Sequence, residues 1–398
     1  MFKKSTIHHF PVGNGDMTLI KIASGDKLYT VLVDMYIRQC SVEDDNKCDV
    51  LTELHGLIES DDQGRPYVDV LLLTHPDEDH ILGFEKHFHV GKPENYKLKK
   101  NGEKEKIFIN ELWSSPIVFR RKCAKTHTLC ADADSFAEEA RRRVADFRSN
   151  SNIIGAEGNR IRIIGKDVDN KTDNIMDIVY ELGDEITKLN ETVIPELKVL
   201  MLGPLHDNEF PEGTSPDKNR SSVIMQWAIA SNGYTNPTNH ILLGGDAGVE
   251  VWEILWKKHN ANVGRLKYDI LLAPHHCSWH TLSYDSWSKS VDPKVSADAL
   301  SALSQAKDGA VIISSSDNIK NDKSDPPNYQ AMKEYQKIVQ DVGGEFKCLA
   351  DQKKNTDGSP EILTYRLTLN GPQLDVVEKP KKAASISIIT GGEAIGHG

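Results

Sequence analysis

Apolar residues in this chain gather in short runs that stop at acidic, glycine-rich or histidine-rich turns. Thr18-Leu19-Ile20-Lys21-Ile22 and Tyr29-Thr30-Val31-Leu32-Val33 are rich in β-formers and flank the turn Ser24-Gly25-Asp26-Lys27, which predicts two strands. The bend Val12-Gly13-Asn14-Gly15-Asp16 precedes them, and Asp34 closes the second. Val50, Leu51, Leu54, Leu57 and Ile58 recur at helical spacing over 48–59. Val68 to Leu73 is nearly all aliphatic and predicts a strand covered on both faces. A polar turn follows, and Ile81 to Phe88 predicts a helix.

The middle of the chain is less regular. Lys97 to Lys106 is polar and predicts an exposed loop. Ser135 to Arg148 predicts a helix with a Ser135…Glu138 capping box. Apolar positions 175, 178, 179, 182, 186 and 189 predict another over Asn174–Leu189. Strands return at Leu197–Leu202, Ser222–Trp227, His240–Leu243, Tyr268–Leu272 and Ala310–Ser314. Helices are expected over 249–259, where Trp252 and Trp256 fit a core face, and over Asn328–Val339. This mixture predicts an α/β (α+β) domain over residues 1–375 and a frayed tail over 376–398.

Composition narrows the picture. With 38% hydrophobic and 27% charged residues, the chain has the make-up of a soluble globular protein. Its 48 Lys and Arg against 59 Asp and Glu give a net charge of −11. That sum disfavours strong non-specific nucleic-acid binding, although a local basic patch overrides a global balance. No apolar segment follows Met1-Phe2-Lys3-Lys4, and no run approaches a membrane span of about 18 apolar residues. The six cysteines are scattered, which suits reduced thiols. A cytoplasmic protein without membrane contact is the expectation.

The candidate chemistry lies where the strands stop. The run Leu71-Leu72-Leu73 ends in Thr74-His75-Pro76-Asp77-Glu78-Asp79-His80, four potential metal ligands within six positions. Asp34, Asp246 (after Gly244-Gly245) and His275-His276 (after Pro274) end three other apolar strands. Four such ends predict one shared sheet edge, with ligands held more stiffly than on free loops. Asp16, in the glycine bend, is a candidate to support the ligands from behind. Two basic runs, Arg120-Arg121-Lys122-Cys123-Ala124-Lys125 and Arg141-Arg142-Arg143, are candidates for a phosphate-binding face. Cys123, His127 and Cys130 lack the spacing of a zinc finger.

His75-Pro76-Asp77-Glu78-Asp79-His80 resembles the signature of the metallo-β-lactamase superfamily. The islands Val12–Asp16, Val31–Asp34, Asn219–Val223, Leu242–Asp246 and Pro274–Ser278 follow in the order seen in its ComEC-like, competence-protein subgroup. The resemblance spans about residues 8–370 and is strong at these islands. It implies a four-layer αββα sandwich, here with a helical insertion at about 120–195. It implies that His75 and Asp77 hold a first metal, and that Asp79, His80 and one of His275 and His276 hold a second. His275 is the first choice of that pair. Asp246 would bridge the two, Asp34 would orient the motif, and Asp79, His80 and Asp246 would serve catalysis. The chain departs from the family at four places, one of them the long segment between His80 and Asp246. The family's additional histidine has only His206 as a candidate, Cys277 replaces the glycine after the paired histidines, and Asp325-Pro326 stands for a His-Pro.

Carboxylates at Asp77 and Asp246 make the implied site oxygen-rich, so one or two divalent ions, Zn²⁺ or Mn²⁺ with Mg²⁺ admissible, are expected. Carboxylate-rich two-metal sites suit in-line phosphoryl chemistry. The first expectation is therefore a phosphodiesterase or nuclease acting on DNA or RNA, with Arg141, Arg142, Arg143 and His206 near its substrate. The others are a small-molecule hydrolase (for a lactone, a phosphocholine ester or a nucleotide) and a non-catalytic metal-binding partner of a protein encoded nearby.

Overall fold

Parallel strands cannot be joined by tight turns, and this chain spans nearly every parallel step with a helix. The computed structural model describes residues 3–39, 47–99, 103–123, 128–167, 170–211, 218–352, 355 and 358–375. Among them one sheet has nine strands. Its spatial order is Gly371–Leu374, Leu363–Thr368, Thr6–His9, Thr18–Ser24, Lys27–Val33, Tyr67–Leu72, Phe108–Ser114, Arg160–Ile164 and Val179–Tyr180. The second has seven, in the order Glu345–Cys348, Ala306–Ser314, Tyr268–Leu272, Asn239–Leu243, Ile224–Ile229, Leu197–Gly203 and Glu185–Ile186. Each sheet joins an antiparallel part to a parallel part. The parallel steps begin at Lys27–Val33 in the first sheet and at Asn239–Leu243 in the second.

Side chains alternate between the faces of a strand, and that alternation builds the layers. Val31, Val33, Ile270 and Leu272 point into one apolar cluster shared by both sheets. Leu32 points the other way, into a cluster with the helices Val50–Leu57 and Ala131–Ser149. Leu271 likewise joins the helices Val249–His259 and Tyr329–Asp341 on the far side of the second sheet. The result is helix, sheet, sheet, helix, the four-layer sandwich expected. Among the described residues no helix is long and apolar enough to cross a membrane.

Several elements differ from the sequence expectation. The stretch Asn174–Leu189 is not a helix: a 3₁₀ turn at Asp173–Ile178 leads to Val179–Tyr180 in the first sheet and Glu185–Ile186 in the second. Its apolar residues, although helically spaced, serve different layers, Ile178 outside the first sheet and Ile186 between the sheets. Residues 120–195, expected as a helical insertion, hold one long helix, the strand Arg160–Ile164 and short edge strands of both sheets. That helix, Ala131–Ser149, starts ahead of the expected capping box, with Cys130 Sγ accepting from the Ala133 N–H. The helix expected over Ile81–Phe88 is two short ones, Glu78–Ile81 and Phe84–His87, parted by Gly83 at φ 95°. Residues 100–102 of the expected Lys/Glu loop, Ala124, Lys125, His127 and the tail over 376–398 lie outside the described residues.

Arg142 and Arg143 are internal struts. Arg143 is buried, and it donates to Glu139 Oε1 at 2.7 Å, Arg160 O at 2.9 Å and Ile109 O at 3.1 Å. Arg142 donates to both Glu139 oxygens, Asn159 Oδ1 and Gly158 O. Arg141 Nη2 lies 3.4 Å from Phe119 O. Successive helix positions point about 100° apart, so this run straddles the contact with the sheet. The expectation of an exposed phosphate-binding face is corrected for Arg142 and Arg143.

A buried histidine whose environment favours the neutral ring marks the first strand. His8 lies between Thr6 Oγ1 at 2.8 Å and Thr364 Oγ1 at 3.0 Å. Burial, then Lys21, then His9 push its pKa from 6.5 down to about 3. A depressed histidine adds stability above its unfolded pKa and loses it as pH falls toward the folded value. Replacing His8 with Gln should therefore shrink the loss of unfolding free energy between pH 7 and pH 4 by about 2–3 kcal/mol. Urea unfolding of both proteins at the two pH values checks this, and an equal loss in both would refute it.

Candidate metal centre

The parallel strands of both sheets end at one place. Backbone bonds tie their tips together: Asp34 N–H to Leu72 O at 2.9 Å, Val223 N–H to Thr74 O at 3.1 Å and His275 N–H to Gly245 O at 3.0 Å. The glycine bend closes this edge, since Asp16 N–H donates to Asp79 O at 3.1 Å. Only glycine fits at position 15. A Cβ there would stand 2.4 Å from the Tyr36 ring and 2.7 Å from Asp79 O.

Hydrogen bonds fix which nitrogen each imidazole turns inward. Asp34 Oδ1 accepts the Thr74 N–H at 2.7 Å, and Oδ2 accepts the Thr74 hydroxyl at 2.6 Å and His80 Nδ1–H at 2.8 Å. The single Thr74 hydroxyl proton is thus committed to Asp34, so that oxygen accepts from His75 Nδ1–H at 3.1 Å. His276 Nδ1–H faces Ser315 O at 3.1 Å. Each of the three rings is left with Nε2 directed at the interior, and all three Nε2 atoms are buried without a hydrogen-bond partner among the described residues.

Those nitrogens surround Asp246, which is 2% exposed. His80 Nε2 lies 3.1 Å and His276 Nε2 3.5 Å from its Oδ1. His75 Nε2 lies 3.5 Å and His275 Nε2 3.7 Å from its Oδ2. Ligands about 2.1 Å from a tetrahedral ion stand roughly 3.4 Å apart, so both spacings fit a coordination shell. Asp79 Oδ2 completes the first side, 3.3 Å from His276 Nε2, and Asp77 Oδ2 the second, 3.8 Å from His75 Nε2. Asp16, His80, Asp246 and His276 are all buried, and each places a ligand atom within 4.8 Å of the others, a group that could hold a metal ion. Within it Asp16 approaches the outer nitrogens, His276 Nδ1 at 3.4 Å and His80 Nδ1 at 4.0 Å.

The electrostatics favour a cation. Burial alone would raise the Asp246 carboxyl, but His80, His276 and His75 outweigh it and hold its pKa well below the usual range. Burial likewise opposes charge on His276, yet Asp246 and Asp16 push its pKa up to about 10. His80 is raised against burial by Asp246 and Asp34. His275 goes down, with burial dominant. These carboxylates therefore favour positive charge at the site, a demand that a divalent ion would meet.

The backbone is strained here. Asp34, His275, His276 and Cys277 all have φ between 51° and 67° without being glycine, a conformation costing about 1–3 kcal/mol each. Cys277 thus occupies a left-handed position that glycine would adopt freely. Asp325 braces the next turn, accepting from Ser278 Oγ at 2.7 Å and Trp279 N–H at 2.9 Å.

Most residues singled out in the sequence meet at this edge: Asp16, Asp34, His75, Asp77, Asp79, His80, Asp246, His275 and His276. Of the histidine pair, His276 is the member in the buried group, and His275 stands on the opposite side of Asp246. His206, half-buried after the strand Leu197–Gly203, is not part of that group. Two contributors, Thr74 and Ser315, had no place in the sequence expectation, and a third, Arg121, was expected only as one member of a basic run. Thr74 and Ser315 orient rings, and Arg121 pairs with Asp77 through Nη1. Thr74 adjoins the motif, Ser315 follows the end of another parallel strand, and Arg121 lay unseparated within a basic run.

Asp246→Ala and His276→Ala should abolish tight uptake of Zn²⁺ or Mn²⁺. Asp34→Ala should weaken it by about 10–100-fold, as loss of a ring-orienting partner does. Elemental analysis after equilibrium dialysis measures this, and full metal content in the Asp246 variant would remove the site. No family model matches this sequence, and no curated protein matches it.

Proposed function

We propose that this chain is a metal-dependent hydrolase whose preferred substrate is a phosphodiester. The observation that carries the reading is the division of Asp246, with one carboxylate oxygen facing His80 and His276 and the other facing His75 and His275. A single carboxylate shared in this way suits two cations a few ångströms apart, the layout of two-metal hydrolases. A divalent ion bound there supplies Lewis acidity, sharpening a water for attack and offsetting charge on a phosphoryl or carbonyl oxygen.

The protein's own groups divide the remaining work. Asp34, Thr74 and Ser315 hold the imidazoles in the tautomer that directs Nε2 inward. Asp79 has 36% of its side chain exposed, whereas Asp246 and His276 are buried, so it is the carboxylate at the solvent side. It can orient an attacking water by accepting a hydrogen bond from it. Asp77, Asp79 and Asp246 add three carboxylates to four imidazoles, a mixed oxygen and nitrogen donor set without thiolate that suits Zn²⁺ or Mn²⁺. Resemblance of the His75–His80 motif to the metallo-β-lactamase superfamily supports the same reading.

A nuclease needs a basic track in addition, and the internal bonding of Arg142 and Arg143 removes the strongest candidate for one. With a net charge of −11, this favours a small phosphodiester over a long polyanion. Turnover of bis-p-nitrophenyl phosphate with Mn²⁺, Mg²⁺ or Zn²⁺ is expected. Asp79→Ala and His80→Ala should each reduce it by about 100-fold or more. Metal-loaded wild-type protein that turns over nothing with any of the three ions would leave a non-catalytic metal-binding role instead.

A further inference from the structure

Arg121 lies on the helix Pro116–Cys123, which begins just past the strand Phe108–Ser114. That strand is the parallel neighbour of Tyr67–Leu72, so the helix starts at the same sheet edge as the ligand turn. Arg121 Nη1 donates to Asp77 Oδ1, while Asp77 Oδ2 faces His75 Nε2 at 3.8 Å. The guanidinium therefore borders the His75 and Asp77 side of Asp246. Its side chain is 12% exposed.

Two arginines of this chain show what separates a strut from a binding group. Arg143 is a strut, since Nε, Nη1 and Nη2 each have a protein acceptor. Arg121 has the same five N–H donors, but among the described residues Asp77 is its one polar partner, and its Nε is buried without any. A largely buried guanidinium with unused donors is costly unless something else accepts from it. The planar fork matches two oxygens of a phosphate. A neutral ester or lactone offers no such pair.

We infer that Arg121 is an anion-binding residue of the centre, gripping non-bridging oxygens of a phosphoester on the His75–Asp77 side. The inference rests on the phosphodiester reading of the same site and deepens it by assigning the group that selects a charged substrate over a neutral one. Asp77 holds the guanidinium in place by its other oxygen.

Titration calorimetry with dimethyl phosphate on the Mn²⁺-loaded full chain tests this, with metal content measured in parallel. Arg121→Ala should weaken binding about tenfold or more at unchanged metal content, the scale of one charge-assisted hydrogen bond. Arg121→Lys, which keeps the charge and loses the fork, should fall between, and it serves alone if the alanine variant does not fold. With bis-p-nitrophenyl phosphate the KM should rise by a similar factor and kcat should change less. Equal affinity in wild type and variants overturns the inference, as does a wild type that binds no dimethyl phosphate. Metal lost together with affinity also overturns it, because Arg121 would then act only through Asp77. Arg121-dependent binding without hydrolysis would uphold the anion site and reject the hydrolase reading.

Discussion

A buried carboxylate controls this structure. Asp246 sits at 2% exposure with imidazoles on both of its oxygens. An ionised carboxylate removed from water is tolerable only where positive charge or many donors surround it. Here the partners come from distant parts of the chain, His75 and His80 from the first sheet and His275 and His276 from the second. The group can be satisfied only if the tips of both sheets converge. The geometry of the site and the pairing of the sheets are thus one constraint.

That constraint accounts for the strain accepted at this edge. Asp34 and His275 to Cys277 hold left-handed backbone conformations just past strand ends at the edge that carries Asp246. Stiff neighbours make this sustainable. The strands before them, Lys27–Val33 and Tyr268–Leu272, are packed on both faces by apolar clusters. Asp34 offsets its unfavourable φ by accepting three hydrogen bonds, one of which sets the His80 ring.

Much of this is legible in the sequence because strands buried on both faces leave a plain aliphatic run. Val68–Leu73 and Tyr268–Leu272 are of that kind, and their ends point directly to His75 and His275. Elements whose buried polar residues pair with each other are harder to see. The strand Phe108–Ser114 is wholly buried yet contains Asn110 and Glu111, and Glu111 is neutralised by Arg162 on the adjacent strand at 3.1 Å. No local pattern announces such a pair. The stretch 174–189 misleads for the opposite reason, because its apolar residues mimic one helix face while facing separate layers.

Charge carries a similar lesson at the site. Arg121 and Arg143 both lie in runs of basic residues, and composition gives them equal weight. Their partners separate them. Arg143 directs its donors to a carboxylate and two carbonyls that lock a helix to the first sheet. Arg121 reaches a carboxylate that also faces the metal centre and leaves Nε buried and unmatched. Only the fold reveals which arginine is structurally saturated, since acceptors such as Ile109 O and Arg160 O belong to the backbone of strands far away in sequence. A basic run therefore marks a phosphate site only after its internal acceptors have been counted.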